Sequence, residues 1–186
     1  PGFITDKKKD LLGIVLTHAH EDHIGAVAHI WPELKCKLFA TPFTAALLTE
    51  KFKEKKIDIS SFLKIVPLNS QIKLGDFEID FVTLTHSILE PNGLSIKTPL
   101  GTILHTGDWK IDPNPLIGNK IDEEKLKKIG NSGVSAMICD STNIFSPGRA
   151  GSESEVRDSL LRIMELKTKR ILVTSFASNV ARMESI

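Results

Sequence analysis

The sequence predicts an α/β (α+β) protein in which stacked β-sheets are flanked by helices. Three observations support this fold class. The apolar run Leu11–Leu16 lacks polar alternation, as expected of a buried strand. Apolar residues recur with a period of two in residues 71–86 and 94–105, which is typical of hairpins. Helical patterns alternate with short apolar strands over residues 122–186.

Helices and a short strand follow the first predicted strand. Residues 24–34 carry apolar side chains at helical spacing, and Pro32 should end or bend that helix. Residues 37–40 are predicted as a strand. Thr41 and Pro42 then open a second helix, because threonine caps helices and proline favours their first position.

The last third of the chain is expected to alternate helices with strands. Ser152 and Glu155 form a capping-box pattern at the start of one helix. Gly130 should end an earlier helix, which is predicted at 122–129. The remaining predictions are strands at 134–139 and 170–174, and a helix that begins near Asn179.

Composition excludes several classes of function. The chain has 186 residues, 41% hydrophobic and 25% charged, and its net charge of +1 gives no overall basic field for nucleic acid. Cys36 and Cys139 are far apart, so neither a thiolate metal site nor a disulfide framework is indicated. Free thiols are typical of a reducing compartment, which predicts a cytoplasmic protein. The apolar run Leu11–Leu16 is too short to span a membrane.

Residues 17–23, THAHEDH, place three histidines and two acids directly after the first predicted strand. This set would make a poor core, but it suits a shell of nitrogen and oxygen donors around metal. His18 and His20 are two apart, so in extended geometry their side chains lie on one side. Asp22 and His23 follow where the chain turns into a helix, and they could serve a second ion.

One loop cannot complete a coordination sphere, and two further candidates lie at the ends of predicted strands. His86 ends the strand VTLTH, and Asp108 follows the strand TILHTG. Ligands at several strand ends can converge on one edge of a sheet. Nitrogen and oxygen donors without sulfur favour zinc, and they are compatible with manganese. His105, within its strand, is expected to support the site indirectly rather than to bind metal.

The motif THAHEDHIGA, followed by THS and HTGDWKID, resembles the metallo-β-lactamase superfamily of binuclear metal hydrolases. Three later segments resemble the bacterial ribonuclease J group within the β-CASP nucleases. These segments are CDSTN at 139–143, SPGRAGSESEV at 146–156 and TSFASNVAR at 174–182. The likeness covers nearly the whole chain from about Leu11 onward.

The resemblance implies an αββα sandwich, incomplete in this chain, into which a β-CASP domain is inserted. Residues 1–145 would form a partial metallo-β-lactamase domain, and residues 146–186 would begin the β-CASP domain. It also implies two divalent ions, with Zn²⁺ preferred and Mn²⁺ as the other candidate. One ion would be held by His18, His20 and His86, the second by Asp22 and His23, and Asp108 would bridge both.

The resemblance also indicates which parts of the site this sequence lacks. Asp140 falls where β-CASP proteins keep an acidic residue that supports a catalytic histidine further along. No histidine follows His105 in this sequence. The last ligand of the second metal and the general-acid histidine are therefore not supplied by it. We expect the chain to be an internal fragment of a longer enzyme.

The expected function is metal-dependent hydrolysis of phosphodiester bonds in RNA, as an exonuclease or endonuclease. A metal-activated hydroxide would attack phosphorus, and Asp22 would be the catalytic residue that orients the water or accepts its proton. Ser178 and Asn179, at a strand-to-helix turn, could contact a substrate phosphate, or they could simply cap the following helix. The expected partners are RNA, the rest of the β-CASP domain with the C-terminal part of the enzyme, and a second copy of the chain.

Two alternatives remain open from the sequence. A thioesterase or lactonase of the glyoxalase II type would share the histidine motif and the later His and Asp. It would not require the DSTN or FASN segments. The other alternative is an inactive fragment that binds metal or folds only against a partner.

Overall fold

The computed structural model describes residues 2–186, which form two β-sheets and associated helices. No helix in that range is both long enough and apolar enough to cross a bilayer. In chain order the elements are α1 (Gly2–Asp6), β1 (Ile14–Val15), α2 (Glu21–Ile24), α3 (Val27–Leu34), β2 (Leu38–Ala40), α4 (Pro42–Glu54), β3 (Leu63–Ile65), β4 (Gln71–Leu74), β5 (Phe77–Thr83), β6 (Asn92–Thr98), β7 (Gly101–His105), α5 (Glu123–Asn131), β8 (Ala136–Ile138), α6 (Glu153–Glu165) and α7 (Val180–Glu184).

The first sheet is parallel, in the order β1-β2-β3. Side chains on β2 alternate between its two faces, as the pleat of a strand requires. Leu38 and Ala40 belong to a core shared with Trp31 of α3 and Leu48 of α4. Phe39, between them in sequence, instead packs toward the second sheet. The central strand of the first sheet, β2, is therefore buried on both faces.

The second sheet has the order β4-β5-β6-β7-β8, antiparallel except for the last pair, β7 and β8. Ile79, Phe81 and Leu94 project from β5 and β6 into a core shared with Phe39. Phe81 is fully buried, and such burial contributes about 1.5–3 kcal/mol relative to an exposed phenylalanine. Two sheets packed face to face, with helices α3 and α4 outside the first, confirm the predicted fold class.

Several boundaries differ from the sequence-based predictions. The strand predicted at 11–16 is reduced to β1, because only Ile14 and Val15 pair with β2. The helix predicted at 24–34 is divided into α2 and α3 at Gly25. A side-chain carbon at Gly25 would lie 2.5 Å from the carbonyl oxygen of Glu21, so the chain turns where glycine permits this approach. Elements α1 and β3 were not predicted.

The strand predicted at 170–174 is wrong. Ile171, Leu172 and Val173 favour a strand by residue type, yet they are exposed and join neither sheet. Gly130 lies inside α5 rather than ending it, and Gly133, at φ +91°, takes the left-handed position after the helix.

Two of the predicted caps also differ in detail. Ser152 does cap α6, but its hydroxyl accepts a hydrogen bond from the backbone N–H of Ser154 rather than from that of Glu155. Thr41 precedes α4 without a capping hydrogen bond from its side chain.

Candidate metal centre

The structure brings together the residues that the sequence predicts as metal ligands. They come from four places in the fold: the loop after β1, the short helix α2, the segment after β5 and the segment after β7. The loop after β1 is fixed to the second sheet, because the backbone N–H of Asn92 donates a hydrogen bond to the carbonyl oxygen of Thr17. The assembled residues are His18, His20, Asp22, His23, His86 and Asp108.

The first group of donors consists of three histidines and one carboxylate. The Nδ1 atom of His20 lies 3.2 Å from Nε2 of His18 and 3.1 Å from Nε2 of His86. The Oδ2 atom of Asp108 lies 3.8 Å from Nε2 of His18 and 3.7 Å from Nε2 of His86. Donors about 2.1 Å from a tetrahedral zinc ion are about 3.4 Å apart, so this spacing fits one cation.

The second group contains Asp22, His23 and the other oxygen of Asp108. Nε2 of His23 lies 3.1 Å from Oδ1 of Asp108 and 3.6 Å from Oδ2 of Asp22. This group is more open than the first, since the side chain of Asp22 is 76% exposed whereas His18 is fully buried. Nitrogen and oxygen donors in both groups suit a divalent cation such as zinc.

Burial and neighbouring imidazoles favour the neutral form of His18, which is buried, and of His86, which is half-buried. Burial is the main cause that lowers the pKa of His18 to about 2, and the nearby imidazoles of His23, His20 and His86 lower it further. The pKa of His86 is also lowered, chiefly by burial and by His20, although the carboxylates of Asp108 and Asp140 oppose the shift. A neutral imidazole offers a lone pair to a cation, so the cluster is suited to bind metal.

Hydrogen-bond partners hold the far ring nitrogens of two histidines. Nδ1 of His18 lies 3.1 Å from the hydroxyl of Thr17, and Nε2 of His20 lies 3.3 Å from the carbonyl oxygen of Ser178. When the far nitrogen of an imidazole donates to an oxygen, the tautomer that presents the other nitrogen to metal is favoured. Sequence reasoning missed both contacts. A backbone carbonyl has no signature in the sequence, and the pattern around Thr17 predicts no role for its hydroxyl.

A tight turn fixes Asp108. Gly107 has φ +57°, and an added side-chain carbon there would lie 3.1 Å from the carbonyl oxygen of Asn92 and from Cβ of Thr17. The hydroxyl of Thr106 donates a hydrogen bond to the carbonyl oxygen of Gly107 and accepts one from the backbone N–H of Asp140. Glycine is therefore required where this loop passes beside the histidine motif.

Asp140 and His105 lie next to the donor groups rather than within them. Asp140 accepts hydrogen bonds from the backbone N–H and the hydroxyl of Thr142. The side-chain bond from Thr142 is the main cause that holds the pKa of Asp140 below its usual value. His105 stays in β7, where its Nδ1 accepts a hydrogen bond from the backbone N–H of Gly107. Each thus contacts the loop that carries Asp108 or the residues beside it.

The two residues predicted to contact phosphate lie at the start of α7. The side chain of Asn179 accepts a hydrogen bond from the backbone N–H of Arg182, so it caps that helix, as the alternative interpretation expected. The carbonyl oxygen of Ser178 faces His20. The segment at the start of α7 therefore contacts the candidate metal ligands through the backbone of Ser178.

Two packed sheets with histidine and aspartate side chains gathered near strand ends define an α/β protein with a cluster suited to divalent metal. The chain belongs to the metallo-beta-lactamase superfamily, because the sequence model of that family matches residues 3–175. A crystal structure of a protein of unknown function from Enterococcus faecalis V583 supports this fold. It matches 92% of this chain and 43% of its own with a TM-score of 0.63 and 21% sequence identity.

Curated relatives of the chain are bacterial enzymes named ribonuclease J. The protein from Sinorhizobium meliloti is 41% identical over 99% of this chain, which corresponds to 33% of the relative. That from Corynebacterium glutamicum is 40% identical over 99% of this chain and 26% of the relative. That from Helicobacter pylori strain 26695 is 37% identical over 95% of this chain and 26% of the relative. The chain thus spans a third or less of the relatives it matches.

Proposed function

We propose that this chain is the metal-binding part of a ribonuclease that hydrolyses phosphodiester bonds in RNA. One observation carries the proposal: two groups of nitrogen and oxygen donors meet at a single carboxylate, that of Asp108. The similarity to enzymes named ribonuclease J supports RNA as the substrate class. It favours RNA over the thioester or lactone substrates of the glyoxalase II type.

The proposed roles of the residues follow from their positions. His18, His20 and His86 would hold one ion, and Asp22 and His23 would hold another, with Asp108 shared between them. When bound, two divalent cations lower the pKa of water toward neutrality and neutralise charge on the phosphate. We assign these ions as Zn²⁺, with Mn²⁺ as the other candidate, because the donors are nitrogen and oxygen without sulfur.

Asp22 is proposed as the catalytic residue. Its side chain is 76% exposed and its Oδ2 lies 3.6 Å from Nε2 of His23, so it can meet both a ligated cation and incoming water. A carboxylate in this position can orient the attacking water and accept its proton. Asp140 and His105 are proposed to support the donors, since both contact the loop that carries Asp108 or residues bonded to it.

Substrate contacts are proposed at the start of α7. Ser178 lies beside the cluster, since its carbonyl oxygen is 3.3 Å from Nε2 of His20, and we propose that its hydroxyl contacts a bound phosphate. Asn179 uses its side-chain oxygen to cap α7, which leaves its amide NH₂ to donate to a phosphate oxygen.

The proposal extends to the rest of the protein. Residues 1–145 would be part of a metallo-β-lactamase domain and residues 146–186 the start of a β-CASP domain, with the remainder of that domain and a C-terminal part as partners. Two large apolar side chains, Phe145 at the boundary and Phe176 in the second segment, are exposed and would be covered by further protein. We further propose a homo-oligomer located in the cytoplasm.

The test measures metal content and two hydrolytic activities on the same purified chain. Zinc-loaded chain is incubated with end-labelled RNA and, separately, with a thioester. RNA decay that is lost in Asp108→Ala supports the proposal. Thioester hydrolysis without RNA decay would favour the glyoxalase II-type alternative. Metal binding with neither activity would show that this chain alone is only the metal-binding fragment.

A further inference from the structure

A buried carboxylate outside the donor groups joins two cationic side chains. Oε1 of Glu153 lies 2.8 Å from Nζ of Lys110, and its Oε2 lies 3.2 Å from a guanidinium nitrogen of Arg182. Its side chain is only 10% exposed. Glu153 is the first residue of α6, so it connects three separate segments of the chain.

The segment that carries Lys110 also carries Asp108, a member of both donor groups. Lys110 follows Asp108 by two residues, and its backbone pairs with Thr85, directly before His86. The backbone N–H of Lys110 donates to the carbonyl oxygen of Thr85, whose hydroxyl donates back to the carbonyl oxygen of Lys110. An ion pair with Lys110 therefore constrains the segments of Asp108 and His86 together.

The segment that carries Arg182 contacts the other side of the cluster. Ser178, just before α7, faces Nε2 of His20 through its carbonyl oxygen. The backbone N–H of Ala181 donates to the carbonyl oxygen of Ser87, directly after His86, over 3.2 Å. Ala181 is buried, so α7 is closely packed at this point. An ion pair with Arg182 therefore constrains the segment whose carbonyl oxygen contacts His20.

The carboxylate of Glu153 links these segments through ion pairs. Burial acts to raise the pKa of Glu153, but hydrogen bonds and charges from Lys110 and Arg182 hold it below its usual value. The backbone N–H of Glu153 also donates to Asp112, a buried residue whose carboxylate lies 3.6 Å from Nζ of Lys110. Removing one charge from such a buried network leaves its partners uncompensated.

We propose that Glu153 is a positioning residue for the metal centre. It ties the loop of Asp108 to the segment that contacts His20, and so it raises the affinity of the cluster for divalent cations. This inference rests on the proposed function in one respect, namely that the donor groups bind metal. It adds a residue from α6 that touches none of the donors.

The test compares Glu153→Gln with Glu155→Gln in the full chain. Both remove one carboxylate from α6, but Glu155 is exposed. Zinc affinity is measured by competition with a chromophoric chelator, and Co²⁺ absorption spectra report the ligand geometry. We expect zinc to bind about 10- to 100-fold more weakly in Glu153→Gln, with an altered Co²⁺ spectrum. Glu155→Gln should match the wild type in both measurements.

The outcomes separate this inference from the function it rests on. If the wild type binds no zinc, the proposed metal centre fails. If the wild type binds zinc and Glu153→Gln binds it equally well with the same Co²⁺ spectrum, only the positioning role fails. Should Glu153→Gln not fold, Arg182→Gln is measured instead, because it leaves Lys110 paired with Glu153. Unchanged zinc affinity in that variant would equally overturn the inference.

Discussion

Nε2 of His23 lies 3.1 Å from Oδ1 of Asp108, while Oδ2 of the same carboxylate faces His18 and His86. One side chain therefore borders both donor groups. The two groups share no other residue, so the pair of sites depends on Asp108 more than on any single histidine.

Replacing Asp108 with alanine should weaken metal binding in both groups. The first group would retain three histidines, whereas the second would retain only Asp22 and His23. We expect the second ion to be lost completely and the affinity for the first to fall about 10-fold or more. The measurement is the metal content of the chain after dialysis against a weak chelator.

Asp158→Ala is the control for Asp108→Ala. Asp158 is exposed on α6 and belongs to neither donor group. It should bind as much metal as the wild type. Equal metal content in Asp108→Ala and Asp158→Ala would contradict the shared role of Asp108.

Asp22→Asn should reduce binding of the second ion without lowering the stability of the metal-free fold. Asp22 is exposed, so its replacement leaves no buried charge or cavity. The matched control is Glu21→Gln, because Glu21 is the neighbouring carboxylate on α2 but pairs with Lys51 instead. Titration with zinc should show the weaker, second binding event lost in Asp22→Asn and retained in Glu21→Gln. The same loss in both variants would mean that Asp22 has no special part in the site.

The side chains that gather at the candidate site could be predicted because their chemistry is visible in the sequence. Three histidines and two acids in THAHEDH have no good alternative to metal, and His86 and Asp108 follow apolar strands. Strand ends are local features, so they can be read from hydrophobic patterns. His86 and Asp108 lie at one edge of the second sheet, as strand ends can. The loop after β1 belongs to the first sheet, so its approach to that edge was not predicted.

The supports of the donors could not be predicted, since they depend on tertiary contacts. The carbonyl oxygen of Ser178 reaches His20 across 158 positions in the sequence. The ion pair of Glu153 with Lys110 likewise joins distant segments. Residue type also misled the prediction of a strand at 170–174, because a preference for strand does not show whether a segment pairs with one of the sheets.

Gly107→Ala should destabilise the fold more than Gly118→Ala. Both glycines have positive φ, so alanine costs roughly 1–2 kcal/mol at either position. At Gly107 the new carbon would also lie 3.1 Å from Asn92 and Thr17, whereas at Gly118 the nearest atom is 3.9 Å away, on Leu89. Crowding should add about 1–3 kcal/mol at Gly107. Urea unfolding of the metal-free chain measures both variants, and equal losses would contradict the tight approach of this loop.

The stability of the metal-free chain should decrease as the pH falls from about 7 to about 5. The pKa of His18 is lowered to about 2 in the folded state, and that of His86 is also lowered. In the unfolded chain the pKa of a histidine is near its ordinary value of 6.5. The unfolded state therefore binds more protons below about pH 6.5, and each such histidine reduces the free energy of unfolding by up to about 1.4 kcal/mol per pH unit.

Urea unfolding in the presence of a chelator at several pH values between 5 and 7.5 tests this dependence. His18→Asn should show a smaller decrease than the wild type, because one of the suppressed titrations is removed. His29→Gln, which removes an exposed imidazole from α3, should keep the dependence of the wild type. Glu153 and Asp112 also have lowered pKa values, but their contribution to stability is lost only below about pH 5, outside the range of this experiment. A free energy of unfolding that stays constant from pH 7 to pH 5 would mean that the folded chain does not hold these imidazoles neutral.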